Sequence, residues 1–423
     1  CLETLFYMLS GMVDTLMLSA VGDYAVGAVG TANSYIGIFI IMFSIISSGM
    51  VSVMTQNIGA GRPGVAYQAR QLGLLFNAVA GVLMAVFLFS GAGAILRMVG
   101  IADALYEPAL IYLKIVGGGC ILNAVIPIFS SYLRAFGYTK QPLYATIVGN
   151  IANFVMNAVF LFVLHKGVAG VATATVISKI LNLCIVLYFS HKLISAKNST
   201  ERIANKTVLG QIVKVGLPSA CETALYNVAM MLVIRFLNQM DAEGLNVTAR
   251  SYTATISNFS YCVGAALAQA NAIMTGWHIG AGELEECDRG TKRAAFVGVC
   301  VAVCMETAIV LGSGFIMPLF TDNPEMTALV RKLLAIDIVL EIGRVTNLVF
   351  GQALKTSGDA VFPAVIAAVF MFVFAVGGTW LFGISMGFMA VGAYIGLASD
   401  ECVRAVGMVW RWKTGKWRTK KLV

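Results

Sequence analysis

The side chains able to do chemistry are few, and they stand where charge is costly. Asp14 lies in an apolar stretch whose neighbours Val13, Leu16, Met17 and Leu18 offer it no partner. Asp337, Glu341 and Arg344 are spaced four and three apart, so a helix sets them on one face. Asp400, Glu401 and Arg404 contain a further i,i+4 pair, read as structural, and Glu306 stands alone in mid-run. A charged group at the centre of a bilayer costs several kcal/mol, so such groups turn inward and are functional candidates by default. Protonating a lone carboxylate removes a full charge, the event that proton coupling requires; the competing reading is a carboxylate satisfied by a neighbouring helix. Metal chemistry finds no support. The nine cysteines form no CxxC pair and mostly sit in apolar runs, where they pack as small soft residues. His165, His191 and His278 are scattered over loops. Gly91-Ala-Gly93 and Gly117-Gly-Gly119 follow no strand, so they read as helix-packing positions and not as phosphate loops.

The elements that must position these groups follow from composition. Of 423 residues, 59% are hydrophobic and only 12% charged, about half the charge of an ordinary soluble domain. The mean hydropathy is +0.84. Runs of about 20 apolar residues cross a bilayer as helices, and Ser34–Val53, Phe76–Leu96 and Ala364–Phe382 are three of many. A soluble enzyme is excluded. Twelve spans are expected, near 1–20, 31–54, 70–96, 106–134, 142–164, 169–190, 209–238, 251–277, 293–318, 327–353, 361–383 and 389–410. The first apolar run opens on Cys1, so the outer turns of its helix are expected to precede it.

The net charge of +8 is not a nucleic-acid footprint. Alternate loops and the tail on one side hold 19 of the 29 Lys and Arg, against five on the other. By the positive-inside rule the rich side is cytoplasmic, with both termini there. The tail, with Trp410, Trp412 and Trp417 among its bases, reads as a headgroup anchor.

The halves repeat. Ile58-Gly59-Ala60-Gly61 recurs as Ile279-Gly280-Ala281-Gly282, and Leu133, Gly137 and Pro142 recur as Leu354, Gly358 and Pro363, all at an offset of 221; Gly170 recurs at Gly392 with a slip of one. Residues 1–191 and 209–410 are then two six-helix lobes, with a basic linker at 192–208 and a basic tail at 411–423. Six spans per half make the repeat parallel, as in transporters that rock about a central site.

At this point the residues resemble a known family. Met12-Val13-Asp14-Thr15, Gly59-Ala-Gly61-Arg62, Leu133-Arg134-Ala135-Phe136-Gly137-Tyr138-Thr139-Lys140-Gln141-Pro142, Gly216-Leu217-Pro218 and the Arg411–Trp417 tail stand in the order of the multidrug and toxin extrusion (MATE) family, over essentially the whole chain. Glu341-Ile-Gly-Arg344-Val-Thr-Asn347 looks like the DinF-like bacterial branch. The resemblance implies an all-α membrane protein of two related lobes, which is no enzyme but extrudes organic cations in exchange for protons or sodium.

It also implies sites. The amino-terminal coupling site would comprise Asp14, Asn153, Asn157 and Thr175, with Asn157 where the family often has a second Asp. One carboxylate and three neutral oxygens could hold sodium, but the lost charge favours protons, with no other cofactor. Asn150, off the family pattern, reads as an interhelical hydrogen-bonding group. In the second half Glu222 matches a family acid, and Arg344 stands where the sodium-coupled branch has an Asp. Glu222, Asp337, Glu341, Arg344 and Asn347 therefore read as a neutralised polar network, with Arg344 beside Glu341 and reaching towards Glu222. Tyr35, Met50, Met54, Tyr226, Asn227, Met230 and Met274 are candidate cavity residues, soft or aromatic surfaces suited to varied substrates. The expected partners are organic cations and membrane lipids, with the chain acting as a monomer. Two alternatives stay open: a sodium-coupled drug antiporter, and a lipid-linked oligosaccharide flippase of the same superfamily, which would need a strongly cationic cavity.

Overall fold

The computed structural model describes residue 6, residue 14, residues 17–18, 22–99, 101, 103–194, 201–241 and 244–423. Most of the first expected span, and residues 195–200 of the expected linker, lie outside the described residues. Phe6, Asp14, Met17 and Leu18 are helical. Among the described residues there is no strand. The helices are α1 Asp23–Gly59, α2 Pro63–Val99, α3 Asp103–Gly118, α4 Cys120–Ala135, α5 Lys140–Ala158, α6 Gly167–Leu193, α7 Asn205–Met240, α8 Leu245–Ala281, α9 Leu284–Ile316, α10 Pro324–Thr356, α11 Val361–Phe370 and α12 Met389–Lys413. Helices α3 and α4 form one span broken at Gly119 and bent by 41°. Helices α5 and α11 run on as π-helix, over Val159–Val163 and over Met371–Val376 and Thr379–Ser385.

This is an all-α membrane fold. Counting α3 and α4 together, eight spans are apolar enough to cross a membrane on hydropathy alone. Helices α8, α10 and α12 are not, because each carries buried polar groups such as Asn271, Asp337, Glu341, Asp400 and Arg404. Large apolar side chains face outward instead, among them Leu83, Phe87, Phe154, Leu311 and Phe315. Only hydrocarbon covers such a surface favourably.

The chain forms two compact units, one of Leu2–Ile58 with Arg62–Gly216, the other of Gly59–Gly61 with Leu217–Val423. In the first, α6 packs against α3, α4 and α5, around a core that includes Leu96, Leu113, Cys120 and Val171. In the second, α10 is the hub and touches α8, α9 and α12.

The repeat is visible in the turns. Gly61 and Gly282 adopt φ of +72° and +80°, and Gly137 and Gly358 adopt +86° and +97°. Each closes its helix in the left-handed conformation that glycine tolerates best. The next N–H then reaches back to a carbonyl five residues earlier: Arg62 to Asn57, Glu283 to His278, Tyr138 to Leu133 and Asp359 to Leu354. This is the hydrogen-bond pattern of a Schellman cap.

The tail corrects the headgroup-anchor expectation. Trp412 and Trp417 are only 2% and 1% exposed, stacked with ring centroids 4.2 Å apart. Trp412 Nε1 donates to Asp288 at 2.7 Å, Arg418 pairs with Glu285, and Arg411 makes a two-pronged pair with Asp359. These bonds draw the rings onto protein, and of the three only Trp410 stays exposed.

Candidate functional site

In the amino-terminal unit, α5 sets Asn153 and Asn157 one turn apart, and both are buried. The Asn157 amide donates to Asp14 Oδ1 at 2.6 Å and to Asn153 Oδ1 at 3.2 Å. Its own Oδ1 has no partner. The Thr175 hydroxyl, on α6, donates to the Val171 carbonyl of its own helix and also meets Tyr112 of α3, which in turn meets Asn33 of α1. One turn beyond Thr175, Lys179 donates to Asn123 of α4 at 2.8 Å and lies within the electrostatic reach of Asp14. Sequence reasoning did not single out Lys179, Asn123 or Tyr112. The available signal was a lysine inside a span, four residues after Thr175. The off-pattern Asn150 donates to the Phe6 carbonyl, an interhelical bond.

In the carboxy-terminal unit, α10 and α12 carry one continuous charge network. Arg344 binds Glu341 and lies 3.6 Å from Glu401. Arg404 binds Glu401 at 2.9 Å and holds Asp400 through two hydrogen bonds. The Asn347 amide donates to Glu401 at 3.0 Å. Glu401 therefore joins the Asp400–Arg404 trio, read from sequence as separate, to the Arg344 group. The close approach depends on Gly343, where a Cβ would lie 2.7 Å from the Cys402 nitrogen.

Two expectations need correction here. Glu222 does not pair with Arg344; it binds Lys355, at the last turn of α10, at 2.8 Å. The span expected at 327–353 stops short of Lys355, but the helix continues to Thr356 and carries the ammonium inward. Met50 and Met54 are fully buried in the packing of the amino-terminal unit; Met50 fills the notch beside Gly73 of α2.

A cavity of about 600 Å³ opens within this unit, lined by α7, α8, α10 and α12 and by Met371. Tyr226 and Met230 line it, as do Glu222, Asp337, Arg344 and Asn347. Asn227 and Met274 are exposed and lie outside its walls, and Tyr35 belongs to the other unit. Behind the wall, Glu306 of α9 is fully buried, and neither of its carboxylate oxygens has a hydrogen-bond partner. Ser260 approaches Glu306, and Ser257 approaches Asp337, without closing a hydrogen bond.

The MatE family model matches residues 1–159 and 218–381. The chain belongs to the MATE family. It is 32% identical to the uncharacterized transporter YisQ of Bacillus subtilis (strain 168), over 99% of this chain and 93% of that one. It is 20% identical to a probable multidrug resistance protein NorM of Thermotoga maritima, over 100% and 91%. Among solved structures it resembles a MATE crystal structure in the straight conformation, with a TM-score of 0.88 at 20% identity over 99% and 94% of the two chains. An outward-facing multidrug resistance MATE transporter matches with a TM-score of 0.84 at 19% identity over 98% and 94%. These likenesses extend the MATE fold over the whole length, and the chain is a membrane transporter of that family.

Proposed function

We propose that this MATE protein is a secondary antiporter that exports lipophilic organic cations in exchange for protons by alternating access, with Asp14 as the coupling group. It works as a monomer in the bacterial inner membrane with both termini cytoplasmic. The relative named as a multidrug resistance protein supports the export reading. The observation that carries the coupling is the contrast in partners. Among the described residues Asp14 has a hydrogen bond from a neutral amide and no ion pair, whereas Glu222, Asp400 and Glu401 each hold a base. Protonation of Asp14 discharges the group outright; protonation of the others would strand a buried cation.

Sodium needs converging oxygens. Here Asn157 turns its N–H, and not its oxygen, to Asp14, Thr175 directs its hydroxyl at its own helix, and Asn157 Oδ1 is left without a partner. That set fits a carboxyl group cycling a proton better than a sodium ion. For a flippase the cavity charge is wrong, since its four basic residues face four acids.

The test is ethidium uptake into inverted membrane vesicles under an imposed proton gradient, scored per folded molecule. Asp14→Asn should abolish uptake while the protein stays folded and inserted. Retained uptake in Asp14→Asn, or uptake driven by a sodium gradient at fixed pH, would overturn the assignment.

A further inference from the structure

We propose that Lys179 is a tethered counter-ion for Asp14: its ammonium leaves Asn123 for the carboxylate when Asp14 gives up its proton, and returns when the carboxyl is discharged. This rests on the reading of Asp14 as the coupling group and deepens it, by naming the charge that takes the proton's place. Lys179 stands near the middle of α6, twelve residues from Gly167 and fourteen from Leu193. At about 1.5 Å per residue, both ends of the helix are on the order of 20 Å away. A lysine stem is far too short to carry its charge back to the headgroups over that distance. The ammonium is therefore held among the helices, where a charge is rare and is kept with a partner or a task.

Its partner is weak. Among the described residues Lys179 makes one polar contact, to Asn123 Oδ1 at 2.8 Å, and no ion pair. A neutral amide oxygen takes up one of three ammonium donors and none of the charge. The Asn123 nitrogen meets only the Cys120 thiol, without closing a hydrogen bond, so little fixes the acceptor in place. Asp14 has the complementary deficit: Asn157 gives it an N–H but no charge. An acid and a base of one unit thus each end on a neutral amide, within electrostatic reach of each other.

Nothing else described around them supplies a charge. Tyr112 of α3 feels Asp14, and Cys120 at the start of α4 feels Lys179, but a phenol and a thiol are both neutral in their ordinary range at pH 7. Helix α5 offers the amides of Asn153 and Asn157, and Glu107 and Lys114 of α3 are exposed. The arrangement seen suits a protonated Asp14, with the carboxyl held by Asn157 and Lys179 parked on Asn123. Loss of the proton leaves a bare carboxylate beside a bare ammonium in a low-dielectric bundle, where opposite charges attract most strongly. The flexible four-carbon stem lets the ammonium exchange one oxygen for the other.

The test reads the protonation of Asp14 itself. Dicyclohexylcarbodiimide consumes the protonated form of a buried carboxyl. Loss of unmodified Asp14, followed by mass spectrometry on the purified full chain in detergent across pH, therefore gives the midpoint of proton release. Lys179→Met removes the counter-ion and should move that midpoint up by about one pH unit or more, the scale of an opposite charge beside a carboxylate. Asn123→Leu removes the ammonium's other partner and should move it down. Lys179→Arg keeps the charge and should stay close to wild type. An unshifted midpoint in Lys179→Met, shifts of the same sign in Lys179→Met and Asn123→Leu, or a Lys179→Arg midpoint that follows Lys179→Met overturns the counter-ion. If Asn123→Leu does not fold, the two variants at position 179 decide by themselves. Shifted midpoints without proton-driven ethidium uptake in wild type would sink the export reading and leave the counter-ion standing; uptake that needs Asp14, with midpoints unshifted, would do the reverse.

Discussion

The same helix crossing is built twice with opposite chemistry. At an offset of 221, Asn123 of α4 corresponds to Arg344 of α10; at 222, Lys179 of α6 corresponds to Glu401 of α12. In the amino-terminal unit the crossing is a lysine donating to a neutral amide. In the carboxy-terminal unit it is a glutamate facing an arginine, extended by Glu341, Arg404 and Asp400. Duplication preserved the contact and let the charges diverge. One copy keeps a lightly partnered acid nearby in Asp14; the other binds most of its acids to bases. A buried pair is a poor source of net stability but is costly to break. The first copy is therefore suited to change charge state and the second to hold one.

The largest expected effect tests the rigid copy. Arg344→Ala strands Glu341 and leaves Glu401 to Arg404 alone, and should cost about 3–5 kcal/mol, read as a drop in thermal unfolding temperature and membrane abundance. Adding Glu341→Gln should restore part of that loss. Gly343→Ala comes next. Its Cβ would press on the Cys402 backbone, and overpacking of this kind costs about 1–3 kcal/mol, again by thermal unfolding; equal tolerance of Gly343→Ala and wild type would mean that the crossing can loosen.

Glu222→Gln leaves a Lys355 ammonium that is 13% exposed without its charge partner, and about 1–3 kcal/mol should be lost. Lys179→Met should stay within about 1 kcal/mol of wild type, because an apolar isostere replaces a buried charge at little net cost. If Lys179→Met is as damaging as Arg344→Ala, the contrast between the two copies is false. The smallest effect concerns pH. Asp241 lies beyond α7 and accepts N–H bonds from Leu245 and Asn246 at the start of α8. Burial raises its pKa, but these bonds outweigh that and hold it below the ordinary 3.8. The depressed value makes its contribution complete at neutral pH and lost only as pH falls through it. Asp241→Asn should therefore lower stability slightly at pH 7, with the difference from wild type vanishing in strong acid.

Much of this was legible in the chain itself. Apolar runs marked the helices, and the repeated Gly61/Gly282 and Gly137/Gly358 pairs marked turns that need a left-handed residue. Local spacing also placed Glu341 beside Arg344. Partners contributed by other helices were not legible. Lys355 looked like a loop base because nothing local reveals that α10 runs to Thr356. Glu401 looked self-contained with Arg404, since its link to Arg344 crosses from one helix to another. Trp412 and Trp417 had the composition of an interfacial belt, and only Asp288, 124 residues away, draws the first of them inward.

That tail also sets where the carboxy-terminal unit can bend. Trp412, Arg411 and Arg418 rivet the end of α12 to the start of α9 and to the turn after α10. Rods clamped together at one end splay only at the other. The opposite end holds the start of α8, with Arg250 one turn inside it, and the turn at Met389, a non-glycine residue kept at φ of +50°. Small rotations at the rivets are therefore magnified into the widest excursions at that far end, near Arg250, as at the free end of a lever.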